Sequence, residues 1–147
     1  MSEHIIRSHN KSLLLYHLVC PTKYRKKVFT QKVEKTLVEV CEGISERYEI
    51  NFIEIRTDAD HVHFLIQGVP VLSPQRIAQI VKSITGRGIF DKHKEIKKIL
   101  WGGRFWTSGY YINTVGQYAS EDVIKNYVEK QGMKYQQLLG KQLSLFK

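Results

Sequence analysis

The spacing of apolar residues along the chain predicts four β-strands. The first is a nearly continuous apolar run that ends at Pro21, which is typical of a buried central strand. The second alternates, and places Phe52 on one face with Ile53 and Ile55 on the other. A four-residue turn then leads into the third strand, which predicts an antiparallel hairpin. The four strands are expected over residues 13–20, 50–56, 61–67 and 105–115.

Apolar residues at spacings of three and four predict the helices. Thr30 is a candidate N-cap for the first helix, and Ser73, followed by a proline, is a strong start for the second. Gly86 and Gly88 are expected to interrupt the second helix, with a short helical stretch after them. The helices are expected over residues 30–48, 73–85, 91–99 and 120–131.

The order of these elements is strand, helix, strand, strand, helix, strand, helix. That order predicts an α+β, ferredoxin-like or RRM-like fold, in which a split βαββαβ antiparallel sheet carries its helices on one face. The first and third strands would be central neighbours. We expect a single domain over residues 1–147, with a core at about 10–116, a last helix at about 120–131 and a tail at 132–147.

The composition is that of a globular protein with a basic surface. Of the 147 residues, 23 are Lys or Arg and 14 are Asp or Glu, which gives a formal net charge of +9. That surplus favours a polyanionic partner, and nucleic acid above all.

Cys20 and Cys41 are too few for a disulfide framework and are expected to be free thiols. No signal peptide or membrane span is expected, so a cytoplasmic, nucleoid-associated protein of a bacterium or archaeon is the expectation.

The strongest chemical signal is a pair of histidines in the third strand. His61 and His63 stand at positions i and i+2, so their side chains share one face of the sheet. Two imidazoles on a rigid strand form half a coordination shell for a divalent metal ion. The alternative is that such a pair is only a polar or packed surface feature. If the face is free of helices, it would be open to a ligand.

The last predicted helix offers the other half of a reaction site. Tyr127 and Gln131 are four residues apart and would lie one above the other on one side of that helix. Alternatively, Tyr127 faces the core and Gln131 faces solvent. Combined with the histidines, Gln131 could complete a Mg²⁺ or Mn²⁺ site, and Tyr127 could attack a phosphodiester bound there. The energy of the broken bond would be kept in a phosphotyrosine, so no nucleotide cofactor would be needed.

These residues together resemble the single-tyrosine HUH transposases of the insertion sequence 200/605 type, which share a superfamily with the REP-associated tyrosine transposases. The resemblance spans nearly the whole chain, and no catalytic position departs from the pattern. The segments that carry it are residues 16–19, 23–25, 60–64, 101–115 and 122–131.

The resemblance implies a residue-by-residue mechanism. His61, His63 and Gln131 would be metal ligands, and Tyr127 would be the nucleophile that forms a covalent 5′-phosphotyrosine. It also implies a homodimer, joined through the fourth strands, in which the tyrosine can serve the partner's histidines. Such enzymes cut and rejoin single-stranded DNA at insertion-sequence ends marked by subterminal hairpins. A circular single-stranded intermediate would then be inserted into a single-stranded target.

Several further residues are candidates for DNA contacts. A cationic loop could hold phosphates while its tyrosine stacks on a base, although a solvated lysine-rich loop is the alternative. Arg56 could reach the scissile phosphate or could pair with Asp58. His17 is expected to be an incidental, hydrogen-bonded core histidine. The full set of DNA-contact candidates is Lys23, Tyr24, Arg25, Lys26, Lys27, Arg56, Lys82 and Arg87.

Two other functions remain open from the sequence. One is a domesticated relative that acts as a nuclease on chromosomal palindromes, which only the DNA flanking the gene would distinguish. The other is a non-catalytic protein that binds single-stranded nucleic acid through exposed aromatics. The histidines on the central strand disfavour that second alternative.

Overall fold

The computed structural model describes residues 5–6, 11–12 and 14–115 of the chain. Within them, no helix is long and apolar enough to cross a membrane. A short 3₁₀ turn at Lys23–Arg25 follows the first long strand. The other elements are β1 (Ile5–Ile6), β2 (Lys11–Ser12), β3 (Leu14–Pro21), α1 (Gln31–Arg47), β4 (Asn51–Thr57), β5 (His61–Gly68), α2 (Pro74–Lys92), α3 (Lys94–Ile99) and β6 (Tyr111–Val115).

The four long strands form one antiparallel sheet in the order β4-β5-β3-β6, and β1 pairs with β2 separately. This order confirms the predicted split βαββαβ topology, with the first and third long strands as central neighbours. The predicted helix caps are also confirmed, because the side chains of Thr30 and Ser73 accept hydrogen bonds from the backbone N–H groups of Val33 and Arg76. The predicted last helix, with Tyr127 and Gln131, lies outside the described residues.

One face of the sheet is covered by α1 and α2. The apolar side chains of this face and of the two helices belong to one buried core, which includes Leu18 of β3, Phe64 of β5, Leu37 of α1 and Ile77 of α2. Because side chains alternate along a strand, the residues between them point to the other face. That second face carries His61, His63, Leu65 and Gln67 of β5.

The strand β4 departs from the predicted alternation. Phe52 pairs with Ile66 and Glu54 pairs with Leu65, so Ile53 is an extra residue without a partner in the register. This bulge reverses the faces beyond it, and both Phe52 and Ile55 therefore join the buried core. The prediction that Ile55 lies opposite Phe52 was wrong, because a bulge leaves no mark in apolar spacing.

The second helix also differs, since α2 continues through Gly86 and Gly88 to Lys92. These glycines are contact points between elements. A Cβ atom at position 88 would lie 2.6 Å from Cγ2 of Val40 on α1, and one at position 86 would lie 3.4 Å from Cβ of Phe105. The absence of side chains at these sites lets the neighbouring segments approach closely, which offsets the low helix propensity of glycine.

The fourth long strand is shorter than predicted and begins at Tyr111. Trp106 forms only an isolated bridge with Thr22, and its indole N–H donates to the hydroxyl of Thr85 on α2. Trp106 is therefore a core residue with a satisfied polar group, and it is not free to stack on a ligand.

Candidate functional site

The two histidines of β5 lie on the face opposite to α1 and α2, as predicted. His61 and His63 are both half-buried, and their ring centroids are 5.0 Å apart. The strand that carries them is bonded on both sides, by β4 and by β3. A paired central strand is rigid, so the separation of the two rings is fixed by the sheet.

A carboxylate at the hairpin turn completes a three-residue cluster with the histidines. Oδ2 of Asp58 lies 3.0 Å from Nε2 of His61 and 3.8 Å from Nε2 of His63. The possible ligand atoms of these three residues all lie within 4.8 Å of one another. Neighbouring ligands on an octahedral ion with bonds of about 2.1 Å are about 3 Å apart, so the spacing suits an ion such as Mg²⁺ or Mn²⁺.

Asp58 was expected only as a possible partner of Arg56, and its place beside the histidines was not predicted. The signal was present in the sequence, because a short hairpin turn returns the chain close to its starting point. The backbone N–H of Asp58 donates to the carbonyl oxygen of His61, which holds this turn closed. An acidic residue three positions before a strand histidine is therefore a feature that sequence reasoning can use.

The other ring nitrogen of His61 is held by a second carboxylate. Oδ1 of Asp60 lies 2.8 Å from Nδ1 of His61, and Oδ2 of Asp60 accepts a hydrogen bond of 3.2 Å from Nε of Arg25. The imidazole and Arg25 together lower the pKa of Asp60, with the His61 hydrogen bond as the larger cause. An ionised Asp60 fixes the proton of His61 on Nδ1 and leaves the Nε2 lone pair directed toward Asp58.

This arrangement leaves two acceptors facing each other. When Nδ1 of neutral His61 carries the proton, Nε2 of His61 and Oδ2 of Asp58 both present lone pairs across 3.0 Å. A metal ion between these two acceptors would make their close approach favourable. The donor set of Asp58, His61 and His63 therefore fits a divalent cation.

A third histidine supports His63. Nε2 of His17 lies 3.0 Å from Nδ1 of His63, and the two rings stack with centroids 5.2 Å apart. His17 is on β3, where the register pairs Val19 with His63, so His17 is a diagonal neighbour on the same face. The prediction of a hydrogen bond was right, but His17 is half-buried rather than a core residue, and its partner belongs to the candidate site, so His17 is not incidental.

The surroundings keep His63 neutral. Burial, with the nearby Arg56 and the other two histidines, lowers the pKa of His63 to about 4, and Asp58 opposes this only in part. Burial and Arg56 also lower the pKa of His17. A neutral imidazole keeps the lone pair that a metal ion requires, so protons would not compete for His63 at neutral pH.

The predicted cationic loop lies beside this cluster. Arg25 reaches the site through Asp60, and Arg56 pairs with His63 in the sheet register. Lys26 and Lys27 are exposed. Lys23 places its ammonium 5.3 Å from the centre of the Tyr24 ring. The loop therefore brings Arg25 to the histidine edge of the sheet, where Arg56 of β4 adds a second positive charge.

Lys82 and Arg87 line a separate surface cavity of about 260 Å³ beside α2, together with Arg104 and Ser108. Lys82 donates to the backbone oxygen of Ser108 at 3.1 Å, and its ammonium also lies 5.2 Å from the centre of the Tyr110 ring. Lys82 thus holds the segment before β6 in place, whereas Arg87 is exposed. The structure brings these two residues to one cavity, away from the cluster formed by the histidines.

The two predicted residues of the last helix, Tyr127 and Gln131, lie outside the described residues, so their distance from His61 and His63 stays a prediction.

Known proteins are similar to this chain over most of its length. The family model of IS200-like transposases matches residues 10–131. The ISDra2 transposase TnpA of Deinococcus radiodurans is 30% identical over 118 residues, which are 80% of this chain and 84% of that protein. The IS200 transposase of Salmonella typhimurium is 26% identical over 140 residues, which cover 94% of this chain and 88% of that protein.

Solved structures show the same fold. A crystal structure of a transposase from Deinococcus radiodurans R1 matches with a TM-score of 0.68 and 25% identity, over 89% of this chain and 98% of that one. A REP-associated tyrosine transposase bound to a REP hairpin matches with a TM-score of 0.52 at 12% identity, over 91% of this chain and 77% of that one. Since the family model spans most of the sequence, including the histidine strand, this chain belongs to the IS200-like transposases.

Proposed function

We propose that this transposase cuts and rejoins single-stranded DNA through a covalent tyrosine intermediate that needs a divalent metal ion. The observation that carries the proposal is the convergence of Asp58, His61 and His63 on one sheet face, in a chain of the IS200-like family. Within the part of the chain that the structure describes, this is the one cluster of His, Cys, Asp and Glu residues suited to a metal ion.

The protein residues would hold the ion through Nε2 of His61, Nε2 of His63 and the carboxylate of Asp58. Gln131 is proposed as a further ligand, from the resemblance of residues 122–131 to the family pattern. Bound Mg²⁺ or Mn²⁺ would polarise the phosphodiester and stabilise the charge that develops on its oxygens. Asp60 and His17 would each hold the remaining nitrogen of one histidine ligand, and so orient both rings.

The proposed nucleophile is the phenol oxygen of Tyr127. It would lose its proton and attack the scissile phosphorus, forming an O–P bond while the bond from phosphorus to the 3′-oxygen breaks. The departing oxygen would take up a proton and leave as a 3′-hydroxyl. Attack by a 3′-hydroxyl on the phosphotyrosine reverses these steps and rejoins the strands. The number of phosphodiester-type bonds is unchanged, so no nucleotide needs to be hydrolysed.

The DNA ends are proposed to carry hairpins, as in the REP hairpin bound by the structural relative. Lys82 and Arg87 would contact the hairpin backbone through the cavity beside α2.

We further propose a homodimer that pairs through β6, because β6 is an outer strand of the described sheet and can accept a second copy. Such a protein would act at the nucleoid of a bacterium or archaeon.

The test is incubation of the full chain with single-stranded DNA that carries the ends of its own element, with Mg²⁺ or Mn²⁺. A covalent protein–DNA species on a denaturing gel is expected, and it should be absent with a chelator. Tyr127→Phe should abolish the adduct and retain hairpin binding. If the variant still forms the adduct, Tyr127 is misassigned, and Tyr118 or Tyr135 becomes the candidate nucleophile. Cleavage unchanged in chelator would contradict the metal mechanism.

A further inference from the structure

Two large aromatic side chains near the candidate metal site are exposed and lie next to each other. Tyr24 is 53% exposed and Trp101 is 71% exposed, and their ring centroids are 6.0 Å apart with an angle of 33° between the planes. They come from segments nearly eighty residues apart in the chain. An indole this exposed gains little from folding, so its position needs a reason other than stability of the core.

The surrounding backbone holds both rings in place. The N–H of Lys23 donates to the carbonyl oxygen of Phe105, and the N–H of Thr107 donates to that of Pro21, so two backbone bonds tie the segments together beside the aromatic pair. Trp101 directly follows Leu100, which is fully buried and anchors the chain. The pair is therefore presented by a fixed frame.

Positive φ angles occur at Tyr24 and directly after Trp101. Tyr24 has a φ of 59°, in the left-handed region that non-glycine residues seldom adopt. Gly102 and Gly103, directly after Trp101, have φ values of 100° and 78°. Glycine adopts such angles freely, but the conformation of Tyr24 is strained, and strain of this kind persists where the surrounding structure imposes it and concentrates at functional sites.

Positive charge surrounds the aromatic pair. The ammonium of Lys23 lies 5.3 Å from the centre of the Tyr24 ring, and 3.3 Å from the point where a Cβ at position 102 would stand. Arg25 follows Tyr24 in the chain, and Arg104 is exposed on the other segment. Exposed aromatic rings with cations between them suit a single strand of nucleic acid, whose bases stack while its phosphates meet the cations.

We propose that Tyr24 and Trp101 form a stacking platform for an unpaired nucleobase of single-stranded DNA, with Lys23 beside the adjoining phosphate. This rests on the proposed function for the identity of the strand. The platform connects to the metal site through Arg25, which bonds Asp60, which in turn bonds His61. A base held on the platform would fix the path of the strand beside the scissile phosphate. The proposed dimer contact is the edge of β6, and the cations beside the aromatic pair favour a polyanionic strand as the occupant of the platform.

The experiment measures binding of the full chain, in chelator so that no cleavage occurs, to two probes of about 12 nucleotides. One probe is oligothymidylate, and the other is an abasic strand with the same phosphates but no bases. The variants are Trp101→Leu and Trp101→Phe. Ile99→Ala is the matched control, because Ile99 is 50% exposed, lies two residues from Trp101 and has no part in the platform.

Wild type should bind oligothymidylate more tightly than the abasic strand. Trp101→Leu should lose about tenfold in affinity for oligothymidylate only, because stacking contributes about 1–3 kcal/mol per base. Trp101→Phe should recover part of the loss, and Ile99→Ala should match wild type. The chain has two tryptophans, of which Trp106 is 5% exposed, so quenching of tryptophan emission by oligothymidylate should also disappear in Trp101→Leu.

Equal binding of oligothymidylate by wild type and Trp101→Leu would overturn the platform. An equal loss for both probes would overturn it too, since the abasic strand offers nothing to stack. A change of Trp101→Leu from dimer to monomer in sedimentation, with unaltered DNA affinity, would assign the surface to a second copy instead. If wild type binds neither probe, the proposed function falls as well, whereas failure of the platform alone leaves wild-type binding and cleavage intact.

Discussion

Nε2 of His17 lies 3.0 Å from Nδ1 of His63, with the two rings stacked 10° from parallel. If Nε2 of His63 binds a metal ion, its Nδ1–H must donate to His17, and His17 must be the acceptor. Most histidine ligands donate to a carboxylate or a backbone carbonyl. Here the acceptor is a second imidazole on the neighbouring strand, so the orientation of the proposed ligand depends on a residue that does not itself bind the ion.

Replacing His17 should therefore weaken metal binding without unfolding the protein. His17→Leu removes the acceptor, and we expect a loss of about 10- to 100-fold in Mn²⁺ affinity. His17→Gln offers an amide oxygen in its place and should recover part of that affinity. Titration followed by the paramagnetic resonance of free Mn²⁺ gives the constants, and nitrogen NMR shifts report the tautomer of His63. Unchanged affinity in His17→Leu would limit His17 to packing.

Asp58 should contribute to the same site from the hairpin turn. Its carboxylate approaches both Nε2 atoms, so Asp58→Asn removes the only negative charge of the three-residue cluster. We expect at least a tenfold loss of Mn²⁺ affinity, with the melting temperature nearly unchanged because Asp58 is exposed. Asp91→Asn, an exposed change on α2, is the control. Equal Mn²⁺ affinity in Asp58→Asn and wild type would remove Asp58 from the ligand set.

The sequence was sufficient for features that depend on local periodicity. The period of two in β5 places His61 and His63 on one face, and their half-burial beside the paired strand β3 agrees with that. The helix caps Thr30 and Ser73 follow from short-range hydrogen bonding and were equally predictable. The strand order followed from the sequence of elements, since few topologies accommodate it.

What the sequence could not supply depends on register between distant segments. The partnership of His17 with His63 requires the alignment of β3 against β5, and the approach of Trp101 to Tyr24 requires backbone bonds across about eighty residues. The bulge at Ile53 has no apolar signature. Gly88 was predicted to interrupt its helix. Its actual role depends on a close neighbour on another helix, which local sequence does not reveal.

The interpretation of Gly88 as a contact between helices can be measured directly. A Cβ at position 88 would lie 2.6 Å from Cγ2 of Val40, so Gly88→Ala should destabilise the protein by about 1–3 kcal/mol through overpacking. Gly43 of α1 has nothing within 4 Å of the corresponding position, so Gly43→Ala should instead stabilise by up to about 1 kcal/mol. Urea unfolding of both variants checks the contrast, and equal effects of the same sign would contradict it.

The buried carboxyl of Glu54 should make stability depend on pH. Glu54 is 6% exposed, and among the residues that the structure describes neither of its carboxylate oxygens has a hydrogen-bond partner. It pairs with Leu65 in the register and so shares the face of His63, with Arg56 two residues away on its own strand. Burial raises the pKa of Glu54 to about 7 from an ordinary value of 4.5, although Arg56 opposes the rise.

Between pH 4.5 and 7 the folded state thus keeps a proton that the unfolded state has lost. The contribution of the protonated Glu54 carboxyl to the free energy of unfolding is fully present below pH 4.5 and is lost as the pH rises through about 7. Glu54→Gln removes the ionisation. The free energy of unfolding of the variant should therefore exceed that of wild type by up to about 3 kcal/mol at pH 8 and by little at pH 4.5. Urea unfolding at both pH values measures this difference.

Glu39→Gln is the control, because Glu39 is exposed and its pairing with Lys92 lowers the pKa of its carboxyl. This variant should show no such gain in the free energy of unfolding at pH 8. A constant difference between Glu54→Gln and wild type across this range would mean that Glu54 ionises freely in the folded protein.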